Sequence, residues 1–349
     1  EEVVQLSRKY EAAIASLATR NKELERHRLG THRVDEGSQH RHSSHLGFIE
    51  GIKRNGILNP FYFHSHETDE RTYHNKRSSH VYAWLTLGGL TVVMGVITLE
   101  FISTWSKIRA CYYALYKESP RPPADVLKDV QAELDHYVAV YERLSERFMA
   151  TIGGVRSGNY TPLFLAGLSH AEPGHLFGNL FALWLFGFKL CRIVGASAFL
   201  SVFAVGGVTS VGFQLLWNMA QGRTSPLPPM HTCLPAFFEE DKMKEMQEKI
   251  AMCDLPVLGA SGSIMAIAGW AARMFPKDKV LTRPLPFPMP IPIAVALFAA
   301  SDVIGVTALL GTSEPTGSEV GHMAHLSGLL LGFCAAAVTR RYARLPLRV

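Results

Sequence analysis

Apolar and polar residues are segregated along this chain. Residues 1–80 are crowded with Arg, His, Lys and Glu, whereas from Val81 onward long apolar runs carry few internal charges. A helix needs about 20 apolar residues to cross the hydrocarbon core of a bilayer. Val81–Ile102, Leu176–Val194, Ala196–Trp217, Val257–Phe275, Ile291–Leu310 and Met323–Val338 supply six such candidates. The pattern predicts an all-α integral membrane protein. A polar N-terminal arm at 1–80 precedes a six-helix membrane domain at 81–349, with long loop insertions at 103–170 and 218–256.

The arm and the insertions have patterns of their own. Val4, Leu6, Tyr10, Ile14, Leu17 and Leu24 recur at near-helical spacing among charges. This predicts an amphipathic helix over 1–27 that needs a partner surface. Residues 28–79 show no period. Their His-rich run QHRHSSH (39–45), with His64 and His66, has no Cys or carboxylate at fixed offsets and reads as a solvated basic loop, not a metal site. In the first insertion Trp105, Ile108, Tyr112 and Leu115 suggest an aromatic piece lying in the membrane interface. After Pro122–Pro123, the run Leu127, Val130, Leu134, Tyr137, Tyr141, Leu144 and Phe148 predicts a helix. The second insertion holds a Pro-rich turn and a charged helix, Glu239–Lys249. Packing or partner docking accounts for both insertions.

The distribution of charge adds an orientation. The net charge is only +5, and the Lys and Arg flank the apolar runs instead of forming a stripe with stacking aromatics. Nucleic acid is therefore not a partner. Lys76–Arg77, Lys189 with Arg192, the group Arg273 to Arg283, and Arg340 to Arg348 all fall on one side of the membrane if there are six spans. That agreement is what the positive-inside rule requires. The five scattered Cys include no CxxC pair, so neither a disulfide framework nor a zinc site is expected, and no cofactor is implied.

Polar groups inside spans are expensive and by default mark function. The second span opens with HLFGN, placing His175 and Asn179 four residues apart on one helical face. The fourth opens with GASGS, with Ser261 beside Gly259 and Gly262; the sixth opens with GHMAHLSGLLLG, with His322 and His325 near its start. Each cluster alone has an ordinary explanation. GxSG often marks only close helix packing. It is also not the soluble nucleophile elbow, because residue 263 is Ser where Gly is required. Together they say more, since all three open even-numbered spans and so share one membrane face. Gly328 and Gly332 follow His325 on its own helix face, and Gly262, Ala266 and Gly269 make a matching small stripe on the fourth span. Two such faces can approach closely enough for Ser261 to give its proton to His325, which nucleophilic catalysis requires. His175, the Asn179 amide and the Ser261 backbone N–H are available as oxyanion donors. His322 lies off the glycine face by about 60° and is expected to be dispensable.

HxxxN, GxSG and AHxxGxxxG, in that order on alternate spans, resemble the rhomboid family of intramembrane serine proteases. SHAEPGHLFGNLFALWLFG (169–187), LGASGSIM (258–265) and HMAHLSGLLLGF (322–333) are most similar to its mitochondrial, presenilin-associated rhomboid-like branch. The resemblance covers about residues 160–340. It implies a six-helix rhomboid bundle, Ser261 as nucleophile, His325 as base, and His175 with Asn179 as oxyanion stabilisers. His170 matches a further His of the family. The resemblance implies no third carboxylate, and the sequence suggests none.

It also implies a location in the mitochondrial inner membrane and single-span membrane proteins as substrates, cut where their helices unwind. That branch carries an extra span before the six, and residues 1–80 contain none. The alternative function is a rhomboid-like scaffold in a larger inner-membrane assembly, with subunits docking on the arm and the loop helices. A transporter is disfavoured because no inverted repeat is visible. The short polar loop Gly311–Gly321 is expected to cap the site and move when substrate enters.

Overall fold

The computed structural model describes residues 62–63, 76–117, 123–239, 253–281, 287–311 and 321–342, with Lys242 and Met246. The amphipathic helix expected at 1–27, the His-rich loop, nearly all of the helix expected at 239–249 and all but the end residues of the capping loop expected at Gly311–Gly321 lie outside the described residues. The chain divides into two units, 1–58 and 59–349, and every described residue belongs to the second.

Each of the six apolar runs contains a helix, although that of the run Val257–Phe275 begins only at Ser261 and spans 14 residues. These are α1 (Lys76–Tyr116), α5 (Pro173–Val194), α6 (Ala196–Ala220), α8 (Ser261–Met274), α9 (Ile291–Gly311) and α10 (His322–Tyr342). Between α1 and α5 come α2 (Ala124–Phe148), α3 (Ile152–Arg156), α4 (Thr161–Leu165) and a 3-10 turn at Ala166–Leu168; α7 (Met230–Phe238) follows α6. α1, α5, α6 and α10 contain four stretches long and apolar enough to cross a membrane, whereas the apolar part of α9, Ile291–Thr307, is shorter. The fold is that of an all-α integral membrane protein. The sheet among the described residues is minimal: β1 (Tyr62–Phe63), β2 (Lys279–Val280) and β3 (Met289–Pro290) pair antiparallel in that order.

The first insertion departs from expectation. Trp105 to Leu115 do not form a separate interfacial piece; they continue α1, which runs unbroken for 41 residues. At 1.5 Å per residue that is about 60 Å, about twice the hydrocarbon thickness. No breaker follows Ile102, and the apolar face of the extension has something to bury. Ile108, Cys111 and Tyr112 pack with Leu134 and Val138 of α2 and Leu234 of α7. Phe238 stacks on Trp105 at 5.7 Å and lies 4.7 Å from the Tyr112 ring. Tyr112 and Lys117 both bind Glu239, at 2.8 and 3.3 Å, closing α7 onto the end of α1.

The membrane core is centred on α8, eleven of whose fourteen residues are buried. Its most extensive contact is with α10. A side chain at Gly328 would run into the Gly262 carbonyl, and one at Gly332 into the Ala266 carbonyl. A Cβ at Gly269 would sit 2.6 Å from the Leu329 carbonyl oxygen. The two backbones therefore touch along three turns. Gly332→Ala should lower stability by about 1–3 kcal/mol through overpacking. Gly212→Ala, at a site with nothing within 4 Å, should be neutral or slightly stabilising. Thermal midpoints in detergent compare the two directly.

The C-terminal ends of α5, α8 and α10 are tied together. Lys189 near the end of α5 pairs with Asp278 after α8, and the Arg340 guanidinium donates to the Arg273 carbonyl. The three helices thus run in parallel, and their N-termini, which carry HLFGN, GASGS and HMAH, meet at the opposite end.

Candidate active site at the helix N-termini

Ser261 is the first residue of α8, half-buried. The segment leading into it is pinned by four backbone hydrogen bonds. Val257 and Ala150 exchange two (2.8 and 2.9 Å), Gly259 N–H donates to the Ala166 carbonyl (2.9 Å), and Ala260 N–H donates to His170 Nε2 (3.4 Å). Gly259 has φ +111°, a conformation that L side chains rarely adopt. A Cβ there would also lie 2.7 Å from His175 Cε1. Glycine is required at 259 for both reasons, and the turn that leads into Ser261 passes against the His175 ring.

His170 is fully buried. Because Nε2 accepts from Ala260, its proton sits on Nδ1, which faces Thr98 Oγ1 at 3.4 Å. Burial, with the neighbouring His175 imidazole as a smaller contribution, pushes its pKa down to about 3, so this acceptor survives at any physiological pH. His170 thereby joins α1 to the turn before Ser261. Its ring meets that of His175 edge to face at 5.0 Å.

No side chain caps the N-terminus of α8. The first N–H groups of a helix have no intrahelical partner, and the helix dipole makes their end positive. Here those groups belong to Ser261 and its neighbours. Asn179, one turn along α5 from His175, is buried, and its Nδ2 has no hydrogen-bond partner among the described residues. A buried donor left without an acceptor is costly unless something fills the place. An oxyanion formed at Ser261 would supply that acceptor.

On the other side, Ala324 and His325 open α10. A Cβ on Gly262 would lie 3.4 Å from the Ala324 carbonyl, so the first turns of α8 and α10 are in backbone contact. Ser261 and His325 are not joined by a hydrogen bond among the described residues; such bonds often tighten only with substrate bound. The His325 ring is firmly oriented. His325 Nδ1 lies 2.9 Å from Asp302 Oδ1 of α9, which leaves Nε2 to take a proton. His322 Nδ1 meets the same oxygen at 2.8 Å. Asp302 is 4% exposed. Sequence reasoning found no third carboxylate, and here the structure supplies one. The signal was present: Asp302 is the only charged residue in the apolar run of α9. Gln214 was also missed. Its Oε1 accepts from Ala324 N–H at 3.2 Å and its Nε2 donates to Asn218 at 2.9 Å, which seats the start of α10 against α6.

The structure thus brings Ser261, His325, His175 and Asn179 to one end of three parallel helices, with Gly259, Gly262, Gly328 and Gly332 at their crossings. Among the described residues no group of His, Cys, Asp and Glu is arranged to hold a metal ion.

The family model for the rhomboid domain matches residues 157–342, more than half of the chain and every residue of this site. The chain belongs to the rhomboid family. Among curated relatives, the zebrafish (Danio rerio) presenilin-associated rhomboid-like protein A, mitochondrial, is 26% identical over 176 residues, 49% of this chain and 35% of that one. The Arabidopsis thaliana RHOMBOID-like protein 12, mitochondrial, is 26% identical over 201 residues, 57% of this chain and 52% of the relative. Rhomboid protein 1, mitochondrial, of Saccharomyces cerevisiae is 26% identical over 164 residues, 47% of this chain and 37% of its own. The matches span between about a third and half of these relatives' own length. α1 and α2 precede the matched rhomboid domain.

If Asn179 stabilises an oxyanion, Asn179→Ala should lower kcat by about 10²–10³ while affinity for an uncleaved substrate helix stays unchanged. An equal loss of binding would make the residue structural.

Proposed function

We propose that this rhomboid is an intramembrane serine endopeptidase of the mitochondrial inner membrane that cleaves single-span membrane proteins. Ser261 Oγ attacks the scissile carbonyl carbon as His325 Nε2 removes its proton. The carbonyl oxygen becomes an oxyanion held by the Asn179 amide, His175 and the N–H groups at the start of α8. The protonated His325 then gives its proton to the leaving amine, and an acyl-Ser261 remains. Water, deprotonated by His325, attacks that ester; the acyl–Oγ bond breaks as His325 returns the proton to Ser261 Oγ, and the carboxylic acid product leaves. Asp302 does not touch the substrate. It is a positioning residue that fixes the imidazole tautomer and steadies the imidazolium formed in each half-reaction.

The observation that carries this reading is the His325–Asp302 hydrogen bond at the head of α10, a helix in backbone contact with the turn that presents Ser261. Proteoliposomes test it. The purified chain should cut a tagged single-span reporter whose helix contains small residues, and an intact reporter after prolonged incubation would refute the activity. The mitochondrial setting is supported by the names of the relatives.

The alternative is a scaffold, and one observation favours it. The aromatic cluster of α1, α2 and α7 is built largely outside the matched domain. As a scaffold, the chain would be recovered in a stable larger assembly that persists unchanged in Ser261→Ala and has no cleavage activity. Inner-membrane subunits docking on the arm and loop helices would be its partners.

A further inference from the structure

The proposed chemistry uses His325 and leaves a second imidazole on the same carboxylate unexplained. We infer that His322 is a positioning residue that holds Asp302 in place for the base. This rests on the protease reading above and extends it to a residue that helix geometry had set aside.

Both imidazoles reach one atom. His322 Nδ1 lies 2.8 Å and His325 Nδ1 2.9 Å from Asp302 Oδ1. Carboxylate oxygens only accept, so each Nδ1 carries its proton and each ring presents Nε2 on its far side. The two Nε2 atoms face different surroundings. His322 is wedged against α9, where a Cβ at Gly305, three residues after Asp302, would overlap its ring. His325 lies next to Ala324, whose carbonyl packs on Gly262 beside Ser261. On the protease reading it is His325, and not the wedged His322, that exchanges a proton with the nucleophile.

The side chain of Asp302 is 6% exposed, those of His322 and His325 13% and 19%. An ionised carboxylate in such a place is costly unless its oxygens are hydrogen-bonded. Two charge-assisted donors on Oδ1 offset more of that cost than one alone. His325 has to change its protonation state during turnover, and its ring must move toward the nucleophile and back. His322 has no such duty. It keeps Oδ1 fixed on the far side, so that the carboxylate stays aimed while its other partner works. The i, i+3 spacing on α10 places the rings as neighbours, and the wedge at Gly305 keeps them from exchanging places.

The experiment uses the full chain in detergent and in proteoliposomes. It measures the rate at which a fluorophosphonate labels Ser261, and kcat and KM for a single-span reporter. His322→Ala should slow both labelling and kcat by about tenfold, the effect of one hydrogen bond to a charged group, with KM changed less than about twofold. His322→Asn, whose amide can donate from the position of Nδ1, should recover most of the loss, and His322→Leu should not. On an Asp302→Ala background, His322→Ala should slow the enzyme no further, because its action runs through the carboxylate.

Wild-type rates in His322→Ala would overturn the inference. So would an undiminished effect on the Asp302→Ala background, or an Asn variant no better than Leu, both of which mark a packing role. Failure of the protease reading looks different. In that case wild type and Ser261→Ala would label alike, whatever residue 322 is.

Discussion

Ser261→Ala and His325→Ala should each abolish cleavage, and the double variant should be no worse than either single one. A hydroxyl without a base is a poor nucleophile, and a base without the hydroxyl has nothing to activate, so the two act as a unit. In soluble serine proteases, removing either member of such a unit costs on the order of 10⁶ in kcat, about as much as removing all of it. The fold should survive both changes. Ser261 is half-buried at a helix start, and His325 keeps its backbone bond to Gly321 without its side chain. Reporter cleavage in proteoliposomes, followed to low turnover, measures the loss. Activity within tenfold of wild type in either variant would remove the residue from the reaction.

Asp302→Asn should have the next largest effect. The amide keeps the shape of the carboxylate but not its charge, and its NH₂ can face the His325 ring as a donor. The imidazole would then present the wrong tautomer, and the imidazolium would lose its counter-charge. Loss of the equivalent carboxylate in soluble triads costs about 10⁴ in kcat. The loss here should approach that figure, because Asp302 is buried and shares its Oδ1 with both His side chains. KM should change little. A variant within threefold of wild type in kcat would show that the base needs no carboxylate and that the bond is incidental to catalysis.

The difference between the two predictions shows what the sequence could and could not convey. The gathering of Ser261, His325, His175 and Asn179 at one end of the bundle was legible because each lies at the start of an apolar run, and runs that alternate in direction place every second start on one face. The small stripes Gly262–Ala266–Gly269 and Gly328–Gly332 showed which two helices touch. The bundle followed from the same periodicity.

Asp302 was harder to see because it lies mid-helix, in α9, at no boundary and in no motif. Only the spatial crossing of α9 with the start of α10 joins it to His325. His170 shows the same limit. Its ring accepts from a backbone N–H ninety residues away, a link that no local spacing encodes. The extension of α1 failed for a different reason. An aromatic, amphipathic stretch after a span looks the same whether it lies on a membrane or on another helix, and of the partners that decide it, α2 and α7, the second is distant in sequence.

An intact-mass measurement of the folded, purified chain after exposure to a fluorophosphonate reads the nucleophile itself. A single covalent adduct mapping to Ser261 is expected. It should be lost in Ser261→Ala and formed far more slowly in His325→Ala. A folded wild-type chain that takes up no adduct, or takes it up at another residue while Ser261 stays unmodified, would contradict the assignment of Ser261 as the nucleophile of a serine protease.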